Sequence, residues 1–205
     1  MKSSRNNKND LEKDTIGIDE AGRGPLAGPI AVCALRVFDK HALKKFPTNC
    51  DSKKYSKKKR EGFFRIIMDE CKKCTIDYKV ILVSSVRIDK KGIEESTRFG
   101  IQKVLSLLGA DPKKSYILLD GRLKAPAEYL YQKTYIRGDS LKREIGLASI
   151  VAKITRDTHM MQMEKKYPQY GFSRHMGYGT LEHRKAISKY GPSKIHRKTF
   201  LKNIN

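Results

Sequence analysis

An α/β fold with a mixed sheet, covered by helices on both faces, is what this sequence predicts. Three observations carry that reading. Apolar, β-branched runs alternate with segments of helical spacing; two strand-like runs come first, and later strands are separated by helices; and the 205 residues contain no internal repeat or low-complexity linker, apart from the lysine clusters at 53–60. One main core is expected.

The elements follow in order. TIGID (15–19) and PIAVCALRVF (29–38) read as strands joined by a glycine-rich turn. Ser56 then stands as an N-cap, and Phe63, Phe64, Ile67 and Met68 recur at helical spacing behind it. TIDYKVILVS (75–84) predicts a further strand, and residues 92–108 an amphipathic helix with Phe99, Val104, Leu107 and Leu108 on or near one face. The strand SYILLDG, a strand-like KTYIRGD, a long helix from Leu141 to about Lys166 and a short helix near 180–189 complete the chain.

Composition narrows the function. Lys and Arg number 44 against 22 Asp and Glu, a net charge of +22, and such a field attracts polyanions, of which nucleic acid is the commonest in a cell. A lysine-rich surface also arises with no such role, so charge alone is weak support. No run approaches the roughly 20 apolar residues of a membrane span, and the polar start lacks the apolar core of a secretory signal, so a cytoplasmic protein without membrane contact is expected. Cys71 and Cys74 form C-x-x-C, but neither Cys33 nor Cys50 supplies a matching pair; reduced, unpaired thiols fit better than zinc or a redox motif. The five histidines are scattered without a ligand motif.

Acids placed at strand ends are the informative feature in so basic a chain. Asp19 and Glu20 end the first strand, Asp120 ends YILLDG and Asp139 ends YIRGD. Carboxylates brought together repel, and hard divalent ions such as Mg2+ or Mn2+ relieve that repulsion through oxygen ligands. Two such ions would clamp a phosphodiester, one activating water and the other stabilising the leaving oxygen. Taken singly, Asp120 before Gly121 reads first as a turn residue and Asp139 before Ser140 as a helix cap, and spacing does not show that the four converge.

The turn GRGPLAG is not a dinucleotide-binding loop. Its glycines are spaced G-x-G-x-x-x-G, and Pro25 leads towards a second strand where that fold needs a helix. Gly22 and Gly24 around Arg23 suit close backbone approach to a sugar or phosphate beside a charged fork, although glycine-rich turns also occur without a ligand.

The stretch GIDEAGRGPLAGP (17–29) resembles the opening motif of the type 2 ribonucleases H, the bacterial ribonuclease HII family. The resemblance continues in order through DSKKYSKKKRE, with Tyr55 where the family has leucine, then LLDG, RGDSLKREIGLASIVAKITRD, KKYPQYGFSRHMGYGTLEH and YGPSKIHRKTF, over roughly residues 15–200. It implies a ribonuclease H-like fold with a mixed five-stranded central sheet, and an endoribonuclease that cuts the RNA strand of RNA/DNA hybrids and 5′ to ribonucleotides embedded in duplex DNA, leaving 3′-hydroxyl and 5′-phosphate ends. Asp19, Glu20, Asp120 and Asp139 match the four catalytic acids that hold two Mn2+ or Mg2+ ions, Asp19 being shared between them. Gly22, Arg23 and Gly24 match the motif that reads the ribose 2′-hydroxyl, and Tyr178 the tyrosine that stacks on the neighbouring deoxyribose, a pairing that tells RNA from DNA without reading bases.

Lys53 and Lys54, with Lys153 and Arg156, are candidates for phosphate contacts, and Ser149 for phosphate contact or packing; each lysine or arginine also reads as solvated surface. Activity is expected to rise towards alkaline pH. Residues 1–13 are expected to be a flexible basic tail that adds electrostatic affinity, and 14–205 one catalytic domain with an abbreviated C-terminal helical part. Such an enzyme is expected to be a monomer whose substrates are RNA/DNA hybrid and ribonucleotide-containing DNA duplex, with a replication clamp as a candidate partner. The contrasting reading is a basic nucleic-acid-binding protein on the same fold without catalysis; intact acids at all four positions weigh against it.

Overall fold

The first apolar run becomes the central strand. The computed structural model describes residues 14–202, so the basic tail lies outside the described residues. Strand β1 (Thr15–Ala21) pairs antiparallel with β2 (Ile30–Val37), in a register that sets Asp19 opposite Cys33, and β2 pairs antiparallel with β3 (Ile76–Val83). On its other side β1 runs parallel to β4 (Tyr116–Asp120), and β4 parallel to β5 (Tyr131–Tyr135). The order is β3-β2-β1-β4-β5, the mixed five-stranded sheet that the sequence led us to expect.

Period-two alternation divides the core between two faces. Ile16, Ile18, Ile30, Val32 and Ala34 turn to one side, where helix α2 (Ser85–Leu107) packs with Ile88, Ile101, Val104 and Leu105. Ala31, Cys33, Leu35 and Val37 turn to the other, where helices α1 (Lys57–Lys72) and α4 (Arg143–Lys166) bring Ile67, Leu147, Ala148, Ile150 and Val151. Helix α1 opens on Ser56, whose side chain accepts from the Lys59 N–H, and α2 on Ser84, which accepts from the Arg87 N–H.

Three boundaries differ from expectation in ways that bear on the site. Helix α2 begins seven residues early because the Ser84 cap starts a first segment, and Gly92, at φ 78°, kinks the helix rather than opening it. Leu107 lies on the exposed side of α2. The strand expected at 133–139 ends at Tyr135; Arg137 turns left-handed at φ 56° and leads into a one-turn helix, α3 (Gly138–Leu141). The long helix is therefore broken at Lys142, which is extended, and α4 starts at Arg143. Asp139 consequently sits on α3, not at a strand end, and parallel pairing of β4 with β5 removes the hairpin reading of Asp120–Gly121.

Helix α4 crosses β1 at very short range. A Cβ on Gly17 would lie 2.2 Å from the Glu144 carbonyl carbon and 2.5 Å from the Ile145 nitrogen, so only glycine lets the start of the helix press onto the strand. A smaller cluster, Ala27, Met160, Met163, Tyr170 and Phe172, joins the far end of α4 to α5 (Phe172–His175) and α6 (Leu181–Tyr190) beneath the glycine-rich turn. Gly17→Ala should destabilise the protein by about 2–3 kcal/mol, since backbone cannot yield as a side chain can, read as a lowered denaturation midpoint at unchanged slope.

Candidate active site

The carboxylates gather where β1 and β4 end side by side. In β1, Asp19 shares with Gly17 the face turned to α4, while Glu20 points the other way; neither is much exposed, Asp19 at only 5%. Asp19 accepts a hydrogen bond from the Glu20 N–H at 2.7 Å, and the Ser149 hydroxyl on α4, whose influence holds the Asp19 pKa down, lies 2.9 Å from the Ser52 hydroxyl. Asp120 accepts the Gly138 N–H at 2.6 Å, tying the end of β4 to α3, and Asp139 accepts the Ser140 N–H at 2.9 Å.

Crowding perturbs these groups in one direction. Burial raises the Asp19 pKa well above the usual carboxylate range, and the charges of Glu20 and Asp120 push it further. Glu20 is raised by burial and by Asp120 against the opposing pull of Arg23, and its Oε2 is buried without a hydrogen-bond partner among the described residues. Asp139 is raised by burial, Asp120 and Asp51, with Lys53 opposing. Lys53 is the local counter-ion: its ammonium lies 3.7 Å from Asp139, and although burial works against its charge, Asp139, Asp19, Asp51 and Asp120 together raise its pKa.

A cleft of about 400 Å³ opens over these acids, lined by Asp19, Glu20, Asp120, the turn Gly22-Arg23-Gly24 and Tyr178, with Ser52, Lys53 and Ser149 among its other walls. Gly22 must be glycine: its φ is 98°, and a Cβ there would fall 2.1 Å from Nε of Arg156. The Arg23 side chain is held by Glu94 of α2, lies 3.4 Å from the Thr97 hydroxyl, and stands 3.9 Å from Glu20. Tyr178 is 45% exposed and offers a ring face to the cleft, with the Arg156 guanidinium 5.8 Å from its centroid.

Two arginines support the turn from behind. Arg156, 1% exposed, donates to the carbonyls of Pro29, Ala27 and Met176 at 3.0, 3.2 and 2.9 Å. These bonds give it a structural role, while it also lines the cleft and its Nη1 has no partner among the described residues. Arg197, fully buried, donates from Nε to Gly28 at 3.0 Å, from Nη1 to Arg23 at 2.8 Å and from Nη2 to Gly22 at 2.6 Å. Burial and the charge of Arg156 push its pKa down to about 9, which leaves it charged at neutral pH.

A chain of three histidines fixes the far wall. The Ser193 N–H donates to Nδ1 of His196, so His196 carries its proton on Nε2, 3.0 Å from Nε2 of His183. His183 then accepts there and donates from Nδ1 to the Tyr178 carbonyl at 2.9 Å. His175 accepts the Gly177 N–H at Nδ1 and donates from Nε2 to Tyr170, and its ring stacks on His183 with centroids 4.4 Å apart. Every ring is satisfied as neutral imidazole. Burial holds both His183 and His196 down to about 4.

Of the residues expected from sequence, the cleft brings together Asp19, Glu20, Asp120, Gly22, Arg23, Gly24, Lys53, Ser149, Lys153, Arg156 and Tyr178; Asp139 stands beside it, facing Lys53. Lys153 is paired with Asp157 at 2.8 Å. Sequence reasoning passed over Ser52, Arg60, Glu94, Arg197 and the histidines. Ser52 and Arg197 lie inside the quoted segments DSKKYSKKKRE and YGPSKIHRKTF, but a buried arginine on carbonyls has no local pattern to betray it. Cys33 and Cys50 are buried, and no cysteine is paired among the described residues.

Comparison with known proteins places this geometry in context. A family model described as Ribonuclease HII matches residues 16–203. The ribonuclease HII of Clostridioides difficile (strain 630) is 44% identical over 188 residues, spanning 92% of this chain and 70% of that protein. Among solved structures, the ribonuclease HII of Archaeoglobus fulgidus in its complex with PCNA superposes with a TM-score of 0.72 at 22% identity, covering 90% of this chain and 93% of that one. Bst-RNase HIII in complex with Mn2+ superposes with a TM-score of 0.58 at 18% identity, covering 92% of this chain and 65% of that one.

Two measurements check the site. Ring 15N spectra should show the Nδ1–H tautomer for His183 and the Nε2–H tautomer for His196, both staying neutral until the pH approaches about 4; a tautomer reversal or titration near 6.5 would contradict the hydrogen-bond chain. A carboxyl whose folded-state pKa lies above its unfolded value costs stability as pH rises past the unfolded value. Asp19→Asn, measured without divalent ions near pH 7, should therefore raise the unfolding free energy, read as a higher denaturation midpoint than that of the wild type.

Proposed function

The chain belongs to the ribonuclease HII family, an endoribonuclease family acting on RNA/DNA hybrids, and we propose that Asp19, Glu20, Asp120 and Asp139 are its catalytic metal ligands. The observation that supports the assignment is the meeting of Asp19, Glu20 and Asp120 in a cleft lined also by Gly22-Arg23-Gly24 and Tyr178, with Asp139 beside it facing Lys53.

The donor set fits divalent ions. It consists of oxygens alone, it includes a buried Glu20 Oε2 with no partner among the described residues, and burial raises the pKa values of Asp19, Glu20 and Asp139, a shift that a nearby double positive charge would oppose. Among the described residues no three Asp, Glu, His or Cys side chains already stand in an ion-holding arrangement, so binding must draw the carboxylates inward. Two Mn2+ or Mg2+ ions there would supply an activated water and neutralise charge on the leaving 3′ oxygen.

The chain's own groups do the selecting and aligning. Ser149 and the Glu20 N–H orient Asp19 from two sides, and the Gly138 N–H holds one oxygen of Asp120, leaving its other oxygen for the cleft. Lys53, once an ion takes its place among the acids, is free to meet the phosphate next to the cut. Gly22-Arg23-Gly24 meets the ribose, and the Tyr178 ring covers the following sugar. A 2′-hydroxyl is thus required while any base is tolerated, which yields 3′-hydroxyl and 5′-phosphate products on hybrids and at single embedded ribonucleotides.

Among the described residues no helix is long and apolar enough to cross a membrane. We place the enzyme in the cytoplasm as a monomer, and the A. fulgidus complex with PCNA supports a replication clamp as its partner. With Mn2+ or Mg2+ and a DNA duplex holding one ribonucleotide, the wild type should cut 5′ to that nucleotide and leave all-DNA duplex intact. Asp19→Asn should lower the rate by about a thousandfold or more. Cleavage that survives the substitution would remove Asp19 from the site.

A further inference from the structure

Arg197 is remote in sequence from every group in the cleft, yet its guanidinium makes contact with the ribose-checking turn at two successive peptide groups. Nη2 donates to the carbonyl of Gly22 at 2.6 Å and Nη1 to that of Arg23 at 2.8 Å, while Nε donates to the carbonyl of Gly28 at 3.0 Å. A peptide bond is planar, and no cis bond occurs among the described residues, so each N–H points away from the carbonyl of its own peptide group. The partners of those two carbonyls are the N–H groups of Arg23 and Gly24. With both carbonyls drawn to one cation behind the turn, both N–H groups are aimed the opposite way, on the side where these residues line the cleft.

Neither N–H has a hydrogen-bond partner among the described residues. Two adjacent, parallel, unspent N–H groups form a concave donor pair for an oxygen lone pair, and a positive charge on their carbonyls strengthens both dipoles. Holding that arrangement requires a fork. Arg197 fits because its donors are planar and rigidly spaced, whereas an ammonium would have to choose among the carbonyls. Asp89 keeps the segment in place, accepting the Lys198 and Thr199 N–H groups at 2.9 and 3.0 Å.

We propose that Arg197 is a specificity-determining positioning residue: by clamping the Gly22 and Arg23 carbonyls it aims the Arg23 and Gly24 N–H groups at the oxygen that distinguishes ribose from deoxyribose. The proposal rests on the reading of the turn given above. A phosphate oxygen offers the same lone pair, but phosphates are common to both kinds of duplex and the 2′-hydroxyl is not, so the two sources separate in one assay.

The assay is steady-state cleavage of a duplex with one ribonucleotide, with an all-DNA duplex of the same sequence as competitive inhibitor. For Arg197→Lys, kcat/KM for the ribonucleotide duplex should fall at least about tenfold while the inhibition constant of the all-DNA duplex moves less than about twofold. Equal weakening of both would assign the donor pair to phosphate or show a general loosening of the fold, and an unchanged kcat/KM would show that the clamp is dispensable; either overturns the proposal. Absence of cleavage by the wild type would instead defeat the functional reading. Should Arg197→Lys not fold, Asp89→Ala, which loosens the segment carrying Arg197, takes its place. A several-fold loss of kcat/KM with an unmoved inhibition constant is then expected, and no loss refutes the clamp.

Discussion

Repulsion among buried carboxylates is the constraint around which this protein is built. Asp19, Glu20 and Asp139 all carry raised pKa values, each with burial as the largest cause and neighbouring acid as an addition. A chain free to relax would let such groups separate. Here they are held by parts that cannot move independently: a central strand paired on both sides, a parallel neighbour ending at the same level, and a helix pressed onto Gly17. The strain so stored makes the cluster receptive to cations.

Charge is thereby organised on two scales. The net charge of +22 draws in nucleic acid without regard to sequence or sugar. Within a few ångströms of the acids the sign reverses, and the Lys53 ammonium reaches Asp139 across it. Polyanion capture and cation capture would oppose each other on a uniform surface. Separating them, with the acids recessed and the bases outside, keeps the two attractions apart.

The glycine-rich side of the cleft uses a different material. Its working face is backbone, and what rigidifies it is buried and cationic or aromatic: Arg156 and Arg197 on carbonyls of the turn, and the His196–His183 pair on the Tyr178 carbonyl. Backbone donors cannot be altered by side-chain substitution, so precision has to come from whatever holds the peptide planes. Two guanidiniums with no carboxylate partner among the described residues are costly to bury, and the carbonyl dipoles they collect offset that cost only if the turn is folded in one way. Its conformation and their burial are mutually dependent.

Much of this was legible in one dimension. Alternation of apolar residues fixes which β2 side chains meet α2 and which meet α1 and α4, because strand geometry admits only two faces, and Ser56 marks the start of α1 because its hydroxyl serves a free N–H. The acids Asp19, Glu20 and Asp120 are apparent as polar interruptions at the ends of apolar runs, and the glycines about Arg23 as a turn of unusual freedom. Asp139 stands at a strand end in the sequence pattern, but a left-handed Arg137 and a one-turn helix, not a strand, present it. What only the tertiary structure decided is which remote groups meet. Arg197 reaches Gly22 across 175 positions and Ser149 reaches Asp19 from another element; periodicity reports the neighbours a residue has along its own element, whereas these contacts follow from how a helix and a C-terminal segment are laid over a sheet, a three-dimensional placement that no local spacing encodes.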